Sequence, residues 1–467
     1  MSQSVRKTAH SQGTSAGRDN VFNRFVEWFS VWSVKWIPDS MVFVLALTLV
    51  IFVMAFGLTP HGPYELLQDW IKGFWQLLTF AMQMSILMIT GFVLADSKIA
   101  RRGITRFVTM FKSTRKLLFW YGLILAVVWW LHWGIGLMLG IIMGRELAAR
   151  NRGSGLHYPM IAAMAYAGIV CAGGPSQAPP LLVATPGHFI EKLTGVIPIT
   201  ETVFMPQMIL LNVILVLSLP VLFMLMAPAG DKAEEISEEL AEEFLAEAPE
   251  AQPTNRTPAE FLNTSFALPL IIGILGLIWA ADFLIRQGIG KLDLNSLNFI
   301  MLMLGLLMHR SLRSFTASVG RGVITVGGVI IQFPFYAGIF GIISNSGLSG
   351  VIAGWFVSIS SKESFPLINF IYSGIMNIFV PSGGSKFVIE APYTVPAAQQ
   401  LGVGIPYVVN SYVLGDLWTN LIQPFWALPI LGAFKVRFQQ ILPYGLTLCI
   451  IYGVVLGLGI YFLPFVM

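Results

Sequence analysis

Apolar runs separated by short polar stretches recur from one end of the chain to the other, at 41-57, 74-95, 205-228, 264-281, 297-308, 323-343 and 441-466. Several approach the roughly 20 residues that a helix needs to cross a bilayer. The pattern predicts an all-α polytopic membrane protein. It also contains apolar segments that are interrupted. In 118-144 the middle reads Trp129-Trp130-Leu131-His132-Trp133-Gly134-Ile135-Gly136, and 157-184 is broken by Gly173-Gly174-Pro175-Ser176-Gln177-Ala178-Pro179-Pro180. The second half has 365-399, broken by Pro381-Ser382-Gly383-Gly384-Ser385, and 402-433, broken by Gly415-Asp416 and by Asn420-Leu421-Ile422-Gln423-Pro424.

Polar and Gly/Pro breaks are tolerated at membrane depth only where protein or a water-filled cavity surrounds them. Each half therefore reads as a helical hairpin followed by a broken helix. The layouts align: Tyr166 precedes Pro179, and Tyr412 precedes Pro424, at nearly equal spacing. Interrupted segments at matching positions of two halves point to a transporter's central site, where freed backbone groups meet substrate and ions. Taken singly, the Gly173-Gly174 pair reads equally as close helix packing.

Charge sets the expected topology. Most of the 28 Lys and Arg residues fall in the N-terminal tail and in 96-117, 145-156, 310-322 and 434-440, which the positive-inside rule places in the cytoplasm. Basic residues on both flanks of 118-144 favour a re-entrant hairpin over a single crossing. Segment 344-364 then reads as an extracytoplasmic connection, and 365-399 as a hairpin entering from the outside, which makes the repeats inverted. The expected division is 1-40 for a cytoplasmic tail with an interfacial amphipathic helix at 21-37, 41-228 for the first repeat, 229-262 for an acidic cytoplasmic linker, and 263-467 for a linking helix and the second repeat. The linker, with Asp231, Glu234, Glu235, Glu238, Glu239, Glu242, Glu243, Glu247 and Glu250, reads as a solvated or partly helical tether without a ligand.

Composition supports this reading: 55% of residues are hydrophobic and 11% charged, against roughly 25% charged in soluble domains. The net charge of +4 belongs to the loops, so nucleic acid is not an expected partner. Two cysteines, Cys171 and Cys449, provide neither a disulfide framework nor a thiolate metal site. His-Glu-x-x-His, Gly-x-Ser-x-Gly and phosphate-cradling Gly-rich motifs are missing from the sequence, which argues against an enzyme and against an ATP-driven pump. No cofactor is expected beyond a coupling H+ or Na+. A passive channel stays open as an alternative.

Gln332-Phe333-Pro334-Phe335-Tyr336-Ala337-Gly338-Ile339, the Pro381-Ser382-Gly383-Gly384 tip, Ala184-Thr185-Pro186-Gly187-His188-Phe189 and the His132-to-Leu137 tip together resemble the short-chain fatty acid transporter family, over roughly residues 20 to 465 outside the acidic linker. The resemblance implies uptake of small monocarboxylates such as acetoacetate or butyrate across a bacterial cytoplasmic (inner) membrane. It also implies two inverted repeats, an often dimeric assembly, and an elevator in which a transport domain slides against a scaffold. Lys386 and Glu390 depart from the usual uncharged continuation after Pro-Ser-Gly-Gly.

A carboxylate needs N-H donors, hydroxyls and positive half-helix ends. Ser382, Gly383, Gly384 and Ser385 are the first candidates. His132, Trp133, Gly134, Gly174, Ser176 and Gln177 are expected to face them, with Asn410, Thr419 and Asn420 from the second broken helix. Asp416, with Ser411, is the candidate for ion coupling, including a possible Na+ site; the alternative reading has Asp416 capping a half-helix. Lys386 either pairs internally with Glu390 or supplies positive charge to the substrate. His132 is a packing residue or a proton carrier. Cation-coupled symport of a short monocarboxylate is the leading reading; a dicarboxylate or amino-acid transporter or exchanger, which Lys386 would favour, is the alternative.

Overall fold

The computed structural model describes residues 40-111, 113-228, 233-246 and 257-463, together with the helical positions Arg24, Trp28, Phe29, Trp32 and Lys35. The expected N-terminal tail and most of the interfacial helix at 21-37 lie outside the described residues. Among the described residues every regular element is helical. Seven helical stretches are long and apolar enough to cross a membrane by length and composition.

The first half runs through α1 (Ser40–Leu58), α2 (Pro63–Phe74), α3 (Leu78–Asp96), α4 (Lys98–Val108), α5 (Thr114–Leu131), α6 (Trp133–Arg150), α7 (Tyr158–Ala167), α8 (Ala178–Ala184) and α9 (Pro206–Met226). After the linker helix α10 (Glu238–Leu245) come α11 (Ala267–Gln287), α12 (Leu294–His309), α13 (Leu312–Val323), α14 (Gly327–Asn345), α15 (Leu348–Ile359), α16 (Phe365–Phe379), α17 (Gly383–Gln400), α18 (Ile405–Asn420), α19 (Pro424–Phe434) and α20 (Phe438–Phe462). Each half thus contains a helix pair with a short tip (α5/α6 and α16/α17), then a broken helix (α7/α8 and α18/α19), then a long span (α9 and α20).

The chain stops and restarts these helices for local reasons. His132 and Ser382 adopt extended backbone and cap the second helix of each pair: His132 Nδ1 accepts from Ile135 N-H at 3.3 Å, and Ser382 Oγ accepts from Ser385 N-H at 3.4 Å. Past each break, a glutamine caps a helix carrying Pro in its first turn. Gln177 Oε1 accepts from Ala178 N-H at 3.0 Å and Gln423 Oε1 from Phe425 N-H at 3.2 Å.

Three segments read as connections are helical. The 96-117 stretch contains α4, 310-322 contains α13, and 344-364 contains α15, whose buried Leu348, Ile352, Ala353 and Phe356 pack it against α17. In α4 and α13 polar residues occupy the outer face, and that masks an amphipathic helix in a reading by apolar runs, whereas α15 also exposes Trp355 and Ile359.

The acidic linker is docked. Glu235 accepts from Gly153 N-H at 2.6 Å and Gly155 N-H at 2.5 Å, and Glu234 N-H donates to His157 Nδ1 at 2.9 Å. Ile236 and Ala241 are buried, Arg145 lies 3.9 Å over the Phe244 ring, and Lys435 pairs with Glu243 at 2.5 Å. The glutamates thus tie the loop after α6 to the end of α19, a role that a count of charges does not reveal.

Candidate functional site

A cavity of about 620 Å³ lies where the two tips and the two breaks meet. Its polar side carries Ser382, Gly383, Gly384 and Ser385 from the second tip, Gly134 from the first, Gln177 from the first break, and Asp416 and Asn420 from the second. Trp133, also of the first tip, lines it as well. The cavity opens on the N-terminal ends of α6, α17 and α19, through Gly134, Gly383 and Phe425 respectively. Each end presents the positive pole of a helix dipole, although the Ile135, Ser385 and Phe425 N-H groups are already taken by their caps. Asp416 is the only charged residue among those lining the cavity.

Much of the remaining lining is apolar, some of it from the tip and break helices (Leu137, Met138, Leu417, Trp426) and some from two elements read mainly as spans. Met84, Met88 and Phe92 of α3 and Val329 and Phe333 of α14 supply this second part, with Gln332 and Tyr336 as its polar members. The sequence did carry a signal here: Gln332 and Tyr336 lie four apart on one face of an otherwise apolar helix.

The tips are locked to the breaks. Trp133 N-H donates to Ser176 Oγ at 3.0 Å, and a Cβ at Gly174 would stand 1.8 Å from the Trp130 carbonyl oxygen, so only glycine permits this approach. Tyr412 donates to the Gly383 carbonyl at 2.7 Å. Tyr166 donates to the carbonyls of Asn420 and, at 2.8 Å, Gln423, joining the first broken helix to the second break.

A polar ladder, missed from the sequence, fixes α16 along α18. Asn369 Nδ2 donates to Val408 O at 3.0 Å, Ser373 Oγ to Tyr412 O at 2.8 Å, and Asn377 Nδ2 to Asp416 O at 3.0 Å. Both sets advance together by four residues, so the helices run parallel. Asn377 Nδ2 also lies 2.7 Å from Asn420 Oδ1, which sets that cavity residue. The recurrence of Asn369, Ser373 and Asn377 on one face of an apolar helix was the available signal.

Behind this wall sits Lys386, with none of its surface exposed. Its Nζ donates to Ser373 Oγ at 2.5 Å and Ser373 O at 3.0 Å, and lies 3.9 Å from the centre of the Tyr412 ring. Two carboxylates flank it: Asp416 Oδ1 at 3.5 Å and Glu390 Oε1 at 3.7 Å. Both exceed hydrogen-bonding distance, and neither Glu390 oxygen nor Asp416 Oδ1 has a hydrogen-bond partner.

Several candidates therefore stand apart from the cavity lining. Lys386 is turned toward Ser373 and the two carboxylates, so the internal pairing with Glu390 is present but shared with Asp416. His132 and Ser176 are taken up in holding the first tip, and Gly174 abuts Trp130. Asn410 Nδ2 donates to Thr202 O at 3.2 Å, and Ser411 Oγ accepts from Asn369 at 2.9 Å; both line a separate recess of about 30 Å³. Thr419 accepts from Asn377 at 3.0 Å. α18 runs unbroken through the expected break at Gly415-Asp416, so no half-helix starts at Leu417 for Asp416 to cap; the helix restarts only at Pro424, capped by Gln423. Among the described residues no group of three or more His, Cys, Asp or Glu side chains gathers as a metal site.

Broken helices, paired tips and a cavity at their meeting point define a polytopic helical transporter. The fold agrees with that of a solved structure, Neisseria gonorrhoeae MtrF, described as one of a class of antimetabolite efflux pumps: the TM-score is 0.54 at 16% identity, covering 94% of this chain and 97% of that one. Residues 21–463 match the short chain fatty acid transporter family, and the chain belongs to that family. A protein of Escherichia coli K12 named for short-chain fatty acid transport is 35% identical over 430 residues, 91% of this chain and 96% of that protein. A Haemophilus influenzae protein of the same name is 33% identical, over 95% of this chain and 100% of its own length. The chain is a membrane transporter and not an enzyme.

Proposed function

We propose that this protein is a secondary active transporter of short monocarboxylates of the acetoacetate or butyrate type, working as a cation-coupled symporter. The observation that carries the reading is the cavity's composition. Three helix N-termini and the Ser382 and Ser385 hydroxyls line the cavity together with methionine and aromatic side chains, and no Lys or Arg is among the lining residues. Dipole ends and hydroxyls suit one carboxylate, and the apolar side chains suit a short alkyl chain. A second carboxylate would find no cation, because Lys386 is turned away; the dicarboxylate reading loses the residue that favoured it.

The matching order of elements in the two halves supports inverted repeats. The clustering of basic residues supports a cytoplasmic N-terminus, in the inner membrane of a bacterium. An elevator movement fits the site's place between tips and breaks. α1 and α11, only 17% and 22% buried over their spans, offer faces to lipid or to a second copy in a homodimer.

The test is saturable uptake of labelled butyrate and acetoacetate into proteoliposomes, with proton and sodium gradients imposed separately. Uptake by protein-free vesicles is subtracted, because the neutral acids cross lipid unaided. Gradient-driven uptake is expected, with KM raised about tenfold or more in Ser382→Ala if the hydroxyl donates to the carboxylate. Absence of saturable uptake of either acid, under either gradient, overturns the monocarboxylate assignment.

A further inference from the structure

We infer that Lys386, Glu390 and Asp416 form a proton-binding site, one that holds a single proton on the Glu390–Asp416 pair and makes the proton the coupling ion. The inference rests on the transport reading above and deepens it.

The three groups are almost completely withdrawn from solvent: Lys386 and Glu390 have no exposed surface and Asp416 retains 2%. With all three ionised the cluster carries a net charge of −1, and one bound proton makes it neutral. Isolated charge is costly at such depth, so the neutral form is the one that burial favours. The hydrogen bonding shows the same deficit. Lys386 gives two of its three donors to Ser373 and lies against the Tyr412 ring, and both Glu390 oxygens and Asp416 Oδ1 are without hydrogen-bond partners. A proton on this pair supplies the missing donor.

Sodium fits the cluster poorly. The ammonium stands within 3.7 Å of both carboxylates, where a metal ion would need to bind. The remaining neighbours are neutral at physiological pH: Tyr372 from α16, Tyr393 from α17 itself, Tyr412 from α18 and Tyr336 from α14. The packed helices α15 and α8 carry no titratable side chain, the turn at 191-194 contributes Glu191 and Lys192, of opposite sign, and against α18 the 168-171 turn adds Cys171 and α20 adds Tyr444, Cys449, Tyr452 and Tyr461, none of them a carboxylate or a base.

Asp416 connects the cluster to substrate. It lines the cavity while Lys386 and Glu390 stand behind it. An anionic carboxylate entering beside a −1 cluster is repelled; beside the protonated cluster it is not. Proton and substrate therefore raise each other's affinity, as linkage requires of two ligands sharing one site's electrostatics. The proton arrives from water on one side of the membrane, forms an O-H bond on Glu390 or Asp416, and returns to water on the other side as the substrate leaves.

Two measurements test this. In the reconstituted protein, infrared difference spectra across pH should show one titrating protonated carboxyl band that is missing in both Glu390→Gln and Asp416→Asn, because either change leaves a neutral ion pair. Saturable uptake should fall about tenfold per pH unit above the midpoint, and this slope should flatten in Glu390→Gln but persist in Glu390→Asp. Size-exclusion profiles establish that the variants are folded. A band that persists in both neutralised variants, or an unchanged pH slope in Glu390→Gln, overturns the proton site. If no monocarboxylate is taken up, the transport reading fails while the infrared titration still decides the proton site.

Discussion

Gly415→Ala on α18 should loosen the joint that holds the second tip to the second break. A Cβ there would stand 2.2 Å from the Phe370 carbonyl oxygen of α16, against ordinary contact beginning at 3.4 Å, so the helices must part by about 1.2 Å. The three rungs from Asn369, Ser373 and Asn377 to backbone carbonyls, now 2.8 to 3.0 Å, would stretch to about 4 Å and fail. Interhelical hydrogen bonds within membranes contribute about 0.6 kcal/mol on average and up to about 1.7, so the ladder alone accounts for about 2 to 5 kcal/mol. Thermal unfolding of the purified protein in detergent should show a clear fall in Tm. Gly432→Ala on α19, where a new Cβ meets nothing within 4 Å, is the matched control and should unfold with the parent. Equal melting of both variants with the parent would refute the close-contact argument.

Lys386→Met should cost about 3 to 5 kcal/mol at neutral pH, since it strands two buried carboxylates, and acidification that protonates them should recover part of the loss in denaturant titrations. Linker docking should weaken on mild acidification. Burial holds the His157 imidazole below its ordinary 6.5, so its contribution is complete above pH 6.5 and is lost as pH falls from there through the depressed folded value; amide protection factors across 233-246, which divide out the intrinsic slowing of exchange in acid, should fall in that window, and unchanged protection would count against it. Asn377→Leu should lower substrate affinity as well as stability, because Asn377 sets Asn420 in the cavity wall; a variant with lowered Tm and unchanged KM would confine its role to packing.

The tips and breaks were legible because they violate the chemistry of a lipid-facing helix. Glycine pairs, serines and prolines inside apolar runs have few physical readings, and those at 132-136, 173-180, 381-385 and 420-424 all mark real interruptions. The residues that face the cavity were harder to select. His132, Ser176 and Thr419 have side chains able to bind a carboxylate, but local backbone and neighbouring side-chain groups take them up first, and such competition is decided by distances that a sequence does not contain. Lys386 shows the same limit: its spacing to Glu390 predicted one pairing, while the approach of α18 supplied Asp416, Ser373 orientation and the Tyr412 ring. The lining from α3 and α14 was not assigned to the site: Gln332 and Tyr336 marked α14, but methionines and phenylalanines in a span carry no mark of which face looks onto a cavity.

The buried triad also bears on how the chain is made. Lys386 and Glu390 emerge from the ribosome before Asp416, on a segment whose two charges each oppose entry into lipid, by about 2.5 to 3.5 kcal/mol for a lysine near a helix centre. Their ion-pair and ring partners on α18 do not yet exist at that moment. Glu390 on the same arm and Ser373 on the preceding helix are already present, so the arm is expected to enter incompletely compensated and to settle once residues 405-420 have followed. The order of three charged residues along the chain thus predicts that the second hairpin reaches its final seat only after α18 has been made.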